Sequence, residues 1–474
     1  MSRQEKILVI CNSNAAVDSL MLKCTNIPAL SGRMIRCGFR GFVSEEIIKR
    51  GLFAEGDLQS HLVDSSGNRT GINSNTDDRA VQDQIRSKQV IFTTIHFASK
   101  IKGKSKDDSY WNFDVVLLGE AAQIEDASIF NVLARCPSLK RAILVGDPKQ
   151  IQPYVPDSVR IQGYGKSSME RMMENCELLK SKSNSSAVPF IMLEIQHRMA
   201  PILRRCVSHL YYDGRLRDDN VVLQRGPADK VKLQPLLVVN LTGTKMDFNM
   251  LHQSYENLEE AMVVKVIYDF LLCSEFDGVL PEDVGELAAK DICILTPFSR
   301  HKDILRMCVC GIEEESLNCY SGQTIGNSSS PTKKPKTING FQDDVPSNVA
   351  TIAESIDTVD KFQGGDRKVV IISTCVDQKP LRAADNHFIC SACSRAQHLL
   401  IVVGNFSEGL AVNNDWKHIW SEAKQNGSVI DHAVTCCDEQ EFLSKDDQPP
   451  PNIHEDELRD KLRDLLERPS QRRR

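Results

Sequence analysis

Short runs of apolar residues recur along the chain and form its clearest pattern. Each run is rich in valine and isoleucine, is apolar on both faces, and leaves room for a helix or a loop before the next. The runs cover residues 6–11, 89–95, 114–119, 141–145, 291–296, 368–374 and 399–404. Central strands of parallel sheets, which helices cover on both faces, have this composition. The pattern therefore predicts an α/β fold.

The spacing of these runs predicts two parallel sheets, and hence two domains at residues 1–190 and 191–431. A helical pattern at 259–272 supports this assignment in the second domain. Two polar stretches interrupt the domains as predicted insertions, at about 39–88 and about 312–350. The second is of low complexity and contains a basic run at 333–336, which we interpret as a solvated charge run rather than a nuclear-import signal.

Residues 432–474 are predicted to form a charged tail with a short amphipathic helix at 455–467. The leucines that share one face of this helix are Leu458, Leu462, Leu465 and Leu466. The sequence leaves open whether the helix docks on the core or on a partner.

Composition places the chain among ordinary globular proteins. Of its 474 residues, 41% are hydrophobic and 26% are charged. No stretch approaches the roughly 20 apolar residues of a membrane span, and residues 1–11 lack a signal-peptide pattern. We therefore expect no membrane association and a cytoplasmic location, with the nucleus as the alternative. The net charge of −6 gives no global basic field, so nucleic acid would have to bind in a local groove.

The 16 cysteines are spread over the whole chain and mostly lie inside apolar runs, as reduced and buried thiols do. Cys308-x-Cys310 and Cys390-x-x-Cys393 each lack a second ligand pair at a suitable spacing. We interpret them as packing residues and predict no metal site from them.

Polar side chains follow several predicted strands at the point where each strand ends. Glu120 and Gln123 follow the run at 114–119, and Asp147 and Gln150 follow the run at 141–145. The carboxyl ends of strands are where open α/β sheets present catalytic groups. In nucleotide hydrolases the first of these strands ends in Asp-Glu, the Asp binding magnesium and the Glu polarising the attacking water. Gly119 stands in place of that Asp, so a catalytic carboxylate is predicted without a metal ligand.

Further polar segments follow in a fixed order: Gln196-His-Arg-Met199, then Thr358 to Asp366 before a strand, then Ser394-Arg-Ala-Gln397 before another. In this order the segments resemble those of the superfamily 1 RNA helicases of the up-frameshift, senataxin and Armitage type. The resemblance covers about residues 6–430. It implies two RecA-like parallel-sheet domains of the P-loop NTPase helicase core, with ATP and magnesium as cofactors.

Residue roles follow from this resemblance, position by position. It implies that Glu120 is the catalytic carboxylate, that Gln150 senses the γ-phosphate, and that Arg198 and Arg395 are arginine fingers. The residues implied to bind the cofactor are Gln123, Asp147, His197, Gly364 and Asp366. The residues implied to bind the nucleic-acid backbone are Ser13, Asn14, Thr93, Thr94, Pro297 and Thr358. His197 stands where the family has Tyr, and Asp366 stands where it has Glu.

The phosphate-binding sequence Gly-x-x-x-x-Gly-Lys-Ser/Thr does not occur in these residues. The tripeptides Gly103-Lys-Ser105 and Gly165-Lys-Ser167 lack the first glycine of the motif, with Ala98 and Arg160 in its place. We therefore expect the first domain to be truncated at its N-terminus, without a Walker A segment.

Three hypotheses follow. The chain is the C-terminal part of a split ATP-dependent RNA helicase, in RNA silencing or mRNA surveillance, whose Walker A segment comes from a separate chain or exon. Alternatively, it is an inactive pseudo-helicase that binds RNA or proteins as a scaffold. In the third hypothesis it is an interaction protein whose tail helix recruits a partner. The expected nucleic-acid partner is single-stranded RNA, with DNA as the alternative.

Overall fold

The computed structural model describes residues 5–54, 83–98, 112–182, 190–228, 231–273, 276, 278–281, 285–312, 347–362, 365–378, 381–435 and 451–466. The chain divides into two compact units, residues 1–192 and residues 193–474. Within the described residues, no helix is long and apolar enough to cross a membrane.

The first unit contains a five-stranded parallel sheet with the strand order β2-β3-β1-β4-β5. Its strands are β1 (Ile7–Cys11), β2 (Met34–Arg36), β3 (Val90–Thr94), β4 (Val115–Gly119) and β5 (Arg141–Val145). Its helices are α1 (Asn14–Cys24), α2 (Glu45–Lys49), α3 (Ile95–Ala98), α4 (Asp126–Ala134) and α5 (Ser168–Lys182), with a short helix at 83–87 and a single turn at Asp157–Val159 that runs into a π-helical segment.

Two apolar clusters lie on opposite faces of this sheet. The first contains Leu8, Ile10, Val116 and Leu118. The second contains alternate residues of the same strands, with Val17 and Met21 of α1 packed on them. Alternation explains the division, because successive side chains of a strand point to opposite faces.

Part of the first predicted insertion is packed on this core. Val43, Ile47 and Phe53 are buried in the cluster that α1 covers. Residues 40–54 are therefore an ordered part of the unit, and the predicted insertion between 55 and 82 lies outside the described residues.

The second unit contains a six-stranded parallel sheet with the order β12-β11-β13-β14-β8-β15. These strands are β8 (Leu236–Thr242), β11 (Ile292–Thr296), β12 (Ile356–Thr358), β13 (Arg367–Ser373), β14 (Ala396–Gly404) and β15 (Val429–Ala433). The pair β6 (Ile195–Gln196) and β7 (Arg217–Asp218) and the antiparallel hairpin of β9 (Asp247–Asn249) and β10 (Ser254–Glu256) lie outside this sheet. The helices are α6 (Pro201–Tyr211), α7 (Leu258–Leu271), α8 (Ser299–Cys310), α9 (Ser347–Glu354), α10 (Asn386–Cys393), α11 (Asn414–Gln425) and α12 (Glu455–Leu466).

The predicted α/β class with two parallel sheets is confirmed, and each predicted strand lies within about three residues of an observed one. The helix predicted at 259–272 is α7. The second predicted insertion lies outside the described residues from 313 to 346, and its last predicted residues, 347–350, belong to α9.

The tail helix α12 docks on the core of the second unit. Leu458 and Leu462 are buried in the cluster that also contains residues of α7. The backbone N–H groups of Lys232 and Leu233 donate to the carbonyl of Leu465, at 3.1 and 3.0 Å. The structure therefore resolves the choice that the sequence left open in favour of the core.

Candidate nucleotide and nucleic-acid sites

Glu120 lies directly after β4, at the carboxyl end of the first sheet. Its φ of 53° is in the left-handed region, which is uncommon for a residue with a side chain. The Nε2 atom of Gln123 donates to the Glu120 carboxylate at 3.3 Å, and Gln123 is itself buried. The turn thus directs a carboxylate out of the strand end and holds it with a buried amide.

The position before Glu120 is filled by a neighbouring strand. Cys11 lies opposite Gly119 in the parallel register of β1 and β4. A Cβ atom at position 119 would lie 2.7 Å from the Cys11 Sγ atom, which is closer than real Cβ contacts. Burial, with a smaller effect of the Glu120 charge, raises the pKa of the Cys11 thiol to about 12. A neutral thiol therefore stands where the metal-binding carboxylate was expected, and these residues do not fit a magnesium ion.

Asp147 and Gln150 follow β5 in a loop that is held by its own side chains. The Nε2 atom of Gln150 donates to Asp147 at 2.9 Å, and the backbone N–H of Lys149 donates to the same carboxylate at 3.0 Å. Gly146 lies against the Glu120 turn, since a Cβ there would be 2.9 Å from the amide nitrogens of Ala121 and Ala122. The two predicted groups of the first unit are therefore adjacent in the structure.

Segments that are far apart in sequence meet in the second unit. Nη1 of Arg198 donates to the carbonyl of Ser394 at 3.1 Å, and its Nε lies 3.7 Å from the Asp366 carboxylate. Asp366 also accepts from Gln397 Nε2 at 2.7 Å, and Nη1 of Arg395 donates to the carbonyl of Gly365 at 3.4 Å. The structure thus brings both predicted arginines and Asp366 together at the amino ends of β13 and β14. Gly364 lies outside the described residues.

The Arg198 turn depends on Gln196. Its Oε1 accepts from the backbone N–H groups of Arg198 and Met199, at 2.8 and 2.7 Å. Its Nε2 donates to Asp218 at 2.6 Å, and Asp218 is held by Arg204 through two nitrogens. Sequence reasoning missed Asp218 and Arg204, because each is one of many charged residues and only the fold pairs them.

His197 is the most exposed of these residues, with 63% of its side chain accessible. Its Nδ1 lies 3.6 Å from Asp219, and the backbone carbonyl of His197 accepts from Arg225 at 3.0 Å. Arg225 also donates to the carbonyl of Arg198. Arg225 is therefore a further brace of this turn that the sequence did not reveal.

Two predicted nucleic-acid residues at the start of α1, Ser13 and Asn14, form hydrogen bonds within the protein. Ser13 Oγ caps α1 by accepting from the backbone N–H of Ala16, at 3.2 Å. Asn14 Oδ1 accepts from the fully buried Arg36 at 2.8 Å, and Arg36 pairs with Asp18 at 2.6 Å. Phosphate contacts at this point would therefore come from the Asn14 amide nitrogen or from backbone N–H groups.

The other predicted nucleic-acid residues lie at or directly after carboxyl strand ends and are buried: Thr93, Thr94, Pro297 and Thr358. Thr94 Oγ1 accepts from the backbone N–H of Phe97 at 3.3 Å. Thr358 lies opposite Thr296 in the pairing of β11 and β12. All four are therefore placed at carboxyl sheet edges, but their side chains are turned into the protein.

A buried polar network lies beneath the edge of the second sheet. Asn257 donates its backbone N–H to His301 Nδ1 at 3.3 Å, and His301 Nε2 lies 2.7 Å from the hydroxyl of Ser373. Ser373 donates to the fully buried Glu260 at 2.7 Å, and so does the backbone N–H of Cys375. Burial raises the pKa of Glu260 to about 8 and lowers that of His301 to about 3. Sequence reasoning missed this network because its members come from three separate segments.

The first sheet carries Glu120 and Asp147 after its strands, and the second sheet carries Asp366 and Arg395 directly before its strands. Two units with parallel sheets and charged groups at these strand ends define the class of RecA-like helicase cores. Comparison with known proteins agrees with this class. A family model described as an AAA domain matches residues 164–407, just over half of the chain, and a second AAA-domain model matches residues 55–157. The chain therefore belongs to the AAA-domain family, in its branch of superfamily 1 helicases of the up-frameshift and senataxin type.

Named relatives are similar over most of this chain. The probable helicase MAGATAMA 3 of Arabidopsis thaliana is 25% identical over 451 residues, which cover 90% of this chain and 46% of the relative. The helicase SEN1 of Saccharomyces cerevisiae is 24% identical over 363 residues, which cover 73% of this chain and 14% of the relative. The ATP-dependent helicase NAM7 of the same yeast is 24% identical over 451 residues, which cover 90% of this chain and 40% of the relative. This chain thus spans less than half the length of these relatives.

Proposed function

We propose that this chain is the C-terminal part of a split, ATP-dependent superfamily 1 helicase that acts on single-stranded RNA. The observation that carries the proposal is the meeting of Arg198, Asp366 and Arg395 at one edge of the second sheet. These residues come from three separate segments. Packing of the sheet alone does not require two guanidinium groups at this position.

The chemistry of the two arginines suits phosphate. A guanidinium is always charged and forks onto phosphate oxygens. The contact between Arg198 Nε and Asp366, at 3.7 Å, is longer than a hydrogen bond, so a phosphate oxygen can compete for this group at little cost. Arg395 is almost fully buried, which fixes its direction and leaves little conformational freedom to lose on binding. The pair supports the role of arginine fingers.

RNA is proposed to run along the carboxyl edges of the sheets. The hydroxyls of Ser13 and Thr94 accept from backbone N–H groups at the start of a helix, and Thr358 is paired with Thr296 at a strand end. Other backbone N–H groups at these edges are therefore the proposed donors to phosphate. Such contacts are independent of base sequence. The proposed setting is RNA silencing or mRNA surveillance in the cytoplasm, with the nucleus as the alternative location.

A specific observation favours a second function, that of an inactive pseudo-helicase. The Cys11 thiol fills the space beside Gly119, and residues 1–474 contain no phosphate-binding loop. ATP hydrolysis by the proposed helicase therefore needs a Walker A segment from outside these residues, encoded on a separate chain or exon. Without it, the same surfaces serve as a passive RNA-binding or protein scaffold.

The test measures binding and turnover separately on residues 1–474. Binding of labelled single-stranded RNA, and of DNA of the same sequence, is followed by fluorescence anisotropy with and without ATP and magnesium. Hydrolysis of ATP is measured with and without RNA, for the chain alone and with a Walker A segment joined to it.

Each outcome selects one function. RNA-stimulated turnover that appears with the joined segment and falls about 10³-fold or more in Arg395→Ala supports the helicase. Arg463→Ala is the matched control, because the Arg463 side chain is 47% exposed on the tail helix α12 and pairs with Asp460 of the same helix. RNA binding without nucleotide dependence or turnover in either form supports the pseudo-helicase. A chain that binds neither RNA nor DNA contradicts both the helicase and the RNA-binding scaffold.

A further inference from the structure

We propose that the hairpin of β9 and β10 is a platform for the bases of a single-stranded nucleic acid, and that one base stacks on Phe248. The exposed apolar residues of this platform are Phe248, Met250 and Leu251. The kind of ligand rests on the proposed function. The platform adds to that function a contact to the bases, which backbone N–H groups at the sheet edges do not provide.

The hairpin lies at the carboxyl edge of the second sheet. The chain enters it from the end of β8, and the backbone N–H of Met246 donates to the carboxylate of Asp377, which follows β13, at 3.2 Å. Its second strand reaches the end of β11, where the ring of Tyr255 lies 5.3 Å from that of Phe298. Phe298 directly follows Pro297, one of the predicted nucleic-acid residues. The hairpin is therefore beside the path proposed for the strand.

Two polar contacts fix the hairpin to the start of α8. Ser254 Oγ accepts from the backbone N–H of Arg300 at 3.2 Å. The Arg300 Nε atom donates to the Glu256 carboxylate at 2.6 Å, and both side chains are largely shielded from water. Hydrogen bonds between charged groups are among the strong ones in proteins. The base of the hairpin is therefore held in place before a ligand binds, which reduces the entropy lost on binding.

Three aromatic rings lead from the interior of this unit to its surface. Phe298 is buried, Tyr255 is half-buried and Phe248 is 43% exposed. The centroids of the Phe248 and Tyr255 rings are 4.9 Å apart in an edge-to-face arrangement. Aromatic contacts of this kind are favourable and have a preferred geometry. Phe248 is thus an oriented, partly exposed ring at the end of a packed row, and such rings stack on the bases of single strands.

The strand register separates the aromatic residues of the hairpin from its carboxylates. Phe248 lies opposite Tyr255, and Asp247 lies opposite Glu256. Successive side chains of a strand point to opposite faces, so the two rings share one face and the two carboxylates share the other. The Glu256 charge is also paired with Arg300. The face that carries the rings therefore suits a ligand that is itself an anion.

The tip of the hairpin presents apolar side chains on a turn that its own side chains hold. Asn249 Oδ1 accepts from the backbone N–H groups of Leu251 and His252, at 3.1 and 3.2 Å. Gln253 Nε2 donates to the carbonyl of Met250 at 2.6 Å. Met250 is 72% exposed and Leu251 is 93% exposed. Met and Leu side chains also contact bases in proteins that insert apolar wedges between base steps, so the tip extends the platform.

A protein partner or a second copy of this chain is a weaker fit for this surface. Stable protein interfaces bury about 800 Å² on each partner and involve about 20–30 residues a side. The hairpin offers Phe248, Met250 and Leu251 as exposed apolar residues, which is far less. Stacking of a base requires only one ring. The small size of the platform and its position beside Pro297 therefore favour a nucleic-acid strand.

The experiment compares the binding of two labelled strands to residues 1–474 by fluorescence anisotropy. One strand is an oligouridine, and the other has the same riboses and phosphates but no bases. We expect the oligouridine to bind more tightly. Phe248→Ala should weaken its binding about 5- to 100-fold and weaken binding of the abasic strand less than about twofold. Phe130→Ala is the matched control, because Phe130 is 57% exposed on α4, and it should change neither affinity.

Two further variants keep the test valid if Phe248→Ala disturbs the hairpin. Phe248→Tyr retains a ring and should bind the oligouridine within about twofold of the unaltered chain. Phe248→Leu retains apolar volume without a ring and should lose affinity as Phe248→Ala does. Full binding by Phe248→Leu, or a loss in Phe248→Tyr as large as that in Phe248→Ala, would overturn the platform.

Other outcomes separate the platform from the proposed function. Equal affinity of the unaltered chain for the two strands, or equal losses on both in Phe248→Ala, would overturn the platform and leave RNA binding intact. Failure of the unaltered chain to bind either strand would refute the proposed function together with the platform. A dimer in sedimentation that Leu251→Lys abolishes would assign the tip to a second copy and would also overturn the platform.

Discussion

The Sγ atom of Cys11 occupies the space beside the α-carbon of Gly119, on the neighbouring strand of the first sheet. A Cβ atom at position 119 would lie only 2.7 Å from this sulfur. The two residues face each other across the β1–β4 pairing. The Cys11 sulfur therefore leaves no room for a side chain at position 119, whereas the Cβ atom of residue 11 would lie 4.0 Å from a Cβ there, at ordinary contact distance.

Gly119→Asp is expected to destabilise the chain by about 1–3 kcal/mol, because it overpacks a buried contact and places a second carboxylate beside Glu120. Cys11→Ala should relieve the steric part, so the double variant should be more stable than the sum of the single effects predicts. Urea unfolding of the four proteins gives this coupling energy. Strictly additive effects would show that the sulfur does not limit position 119.

The buried pair of Arg36 and Asp18 supports the start of α1. Arg36 is fully buried, and besides Asp18 it binds Asn14 and the carbonyl of Cys37. Arg36→Met leaves the Asp18 carboxylate buried without its partner, and the free energy of unfolding should fall by about 3–5 kcal/mol.

Arg50→Met is the matched control for this prediction. Arg50 pairs with Glu46 on the surface, and such pairs contribute at most about 1 kcal/mol. Thermal or urea unfolding compares the two variants. Equal losses would mean that Arg36 acts through its packed side chain and not through its charge.

Much of the fold could be predicted because long apolar runs reveal buried parallel strands. β11 and β13 lie within a residue of their predicted bounds. β8 was missed although its run from Leu236 to Thr242 is visible in the sequence, and β12 is only three residues long, too short to give a pattern. The exposure of β5 could not be predicted, since its composition is that of a covered strand, yet none of its residues is buried by the described part of the chain.

Some residues of the candidate site could likewise be predicted from the sequence, and others could not. Glu120 could be identified because it directly follows a recognisable apolar run, and Arg395 because its segment directly precedes one. Their supports could not, because Asp218 and Arg225 brace the Arg198 turn through contacts between segments that are separated in sequence. Burial of the Thr93 and Thr94 side chains was likewise invisible in the sequence.

The tail helix is expected to stabilise the second unit and not to be a free recruitment element. Leu458 is fully buried, so Leu458→Ala should lower the free energy of unfolding by about 2–5 kcal/mol. Asp460→Ala, at an exposed position of the same helix, should change it by less than about 0.5 kcal/mol. Chemical unfolding followed by circular dichroism checks both. An unaffected Leu458→Ala protein would instead indicate that the helix is only loosely attached.

Glu260 is expected to make stability fall with rising pH. Burial raises its pKa from about 4.5 to about 8, so the folded protein holds a proton that the unfolded chain has released. The contribution of Glu260 to the free energy of unfolding should therefore be highest below pH 4.5, fall as the pH rises towards 8, and level off above it. His301 acts in the opposite direction, because its pKa is lowered from 6.5 to about 3 and its contribution is lost as the pH falls below 6.5. Between pH 6.5 and pH 8 only Glu260 of this pair changes stability.

Glu260→Gln isolates this effect, since its amide oxygen can still accept from Ser373 and Cys375 but cannot ionise. Over the window from pH 6.5 to pH 8 the unaltered protein should lose about 2 kcal/mol, at about 1.4 kcal/mol per pH unit, while the variant should lose almost none. Glu45→Gln is the control, because the Lys49 hydrogen bond lowers the pKa of the exposed Glu45 and it titrates below this window. Urea unfolding at a series of pH values measures the slopes. A Glu260→Gln protein that kept the full slope would show that the proton is taken up elsewhere and that Glu260 is ionised in the folded state.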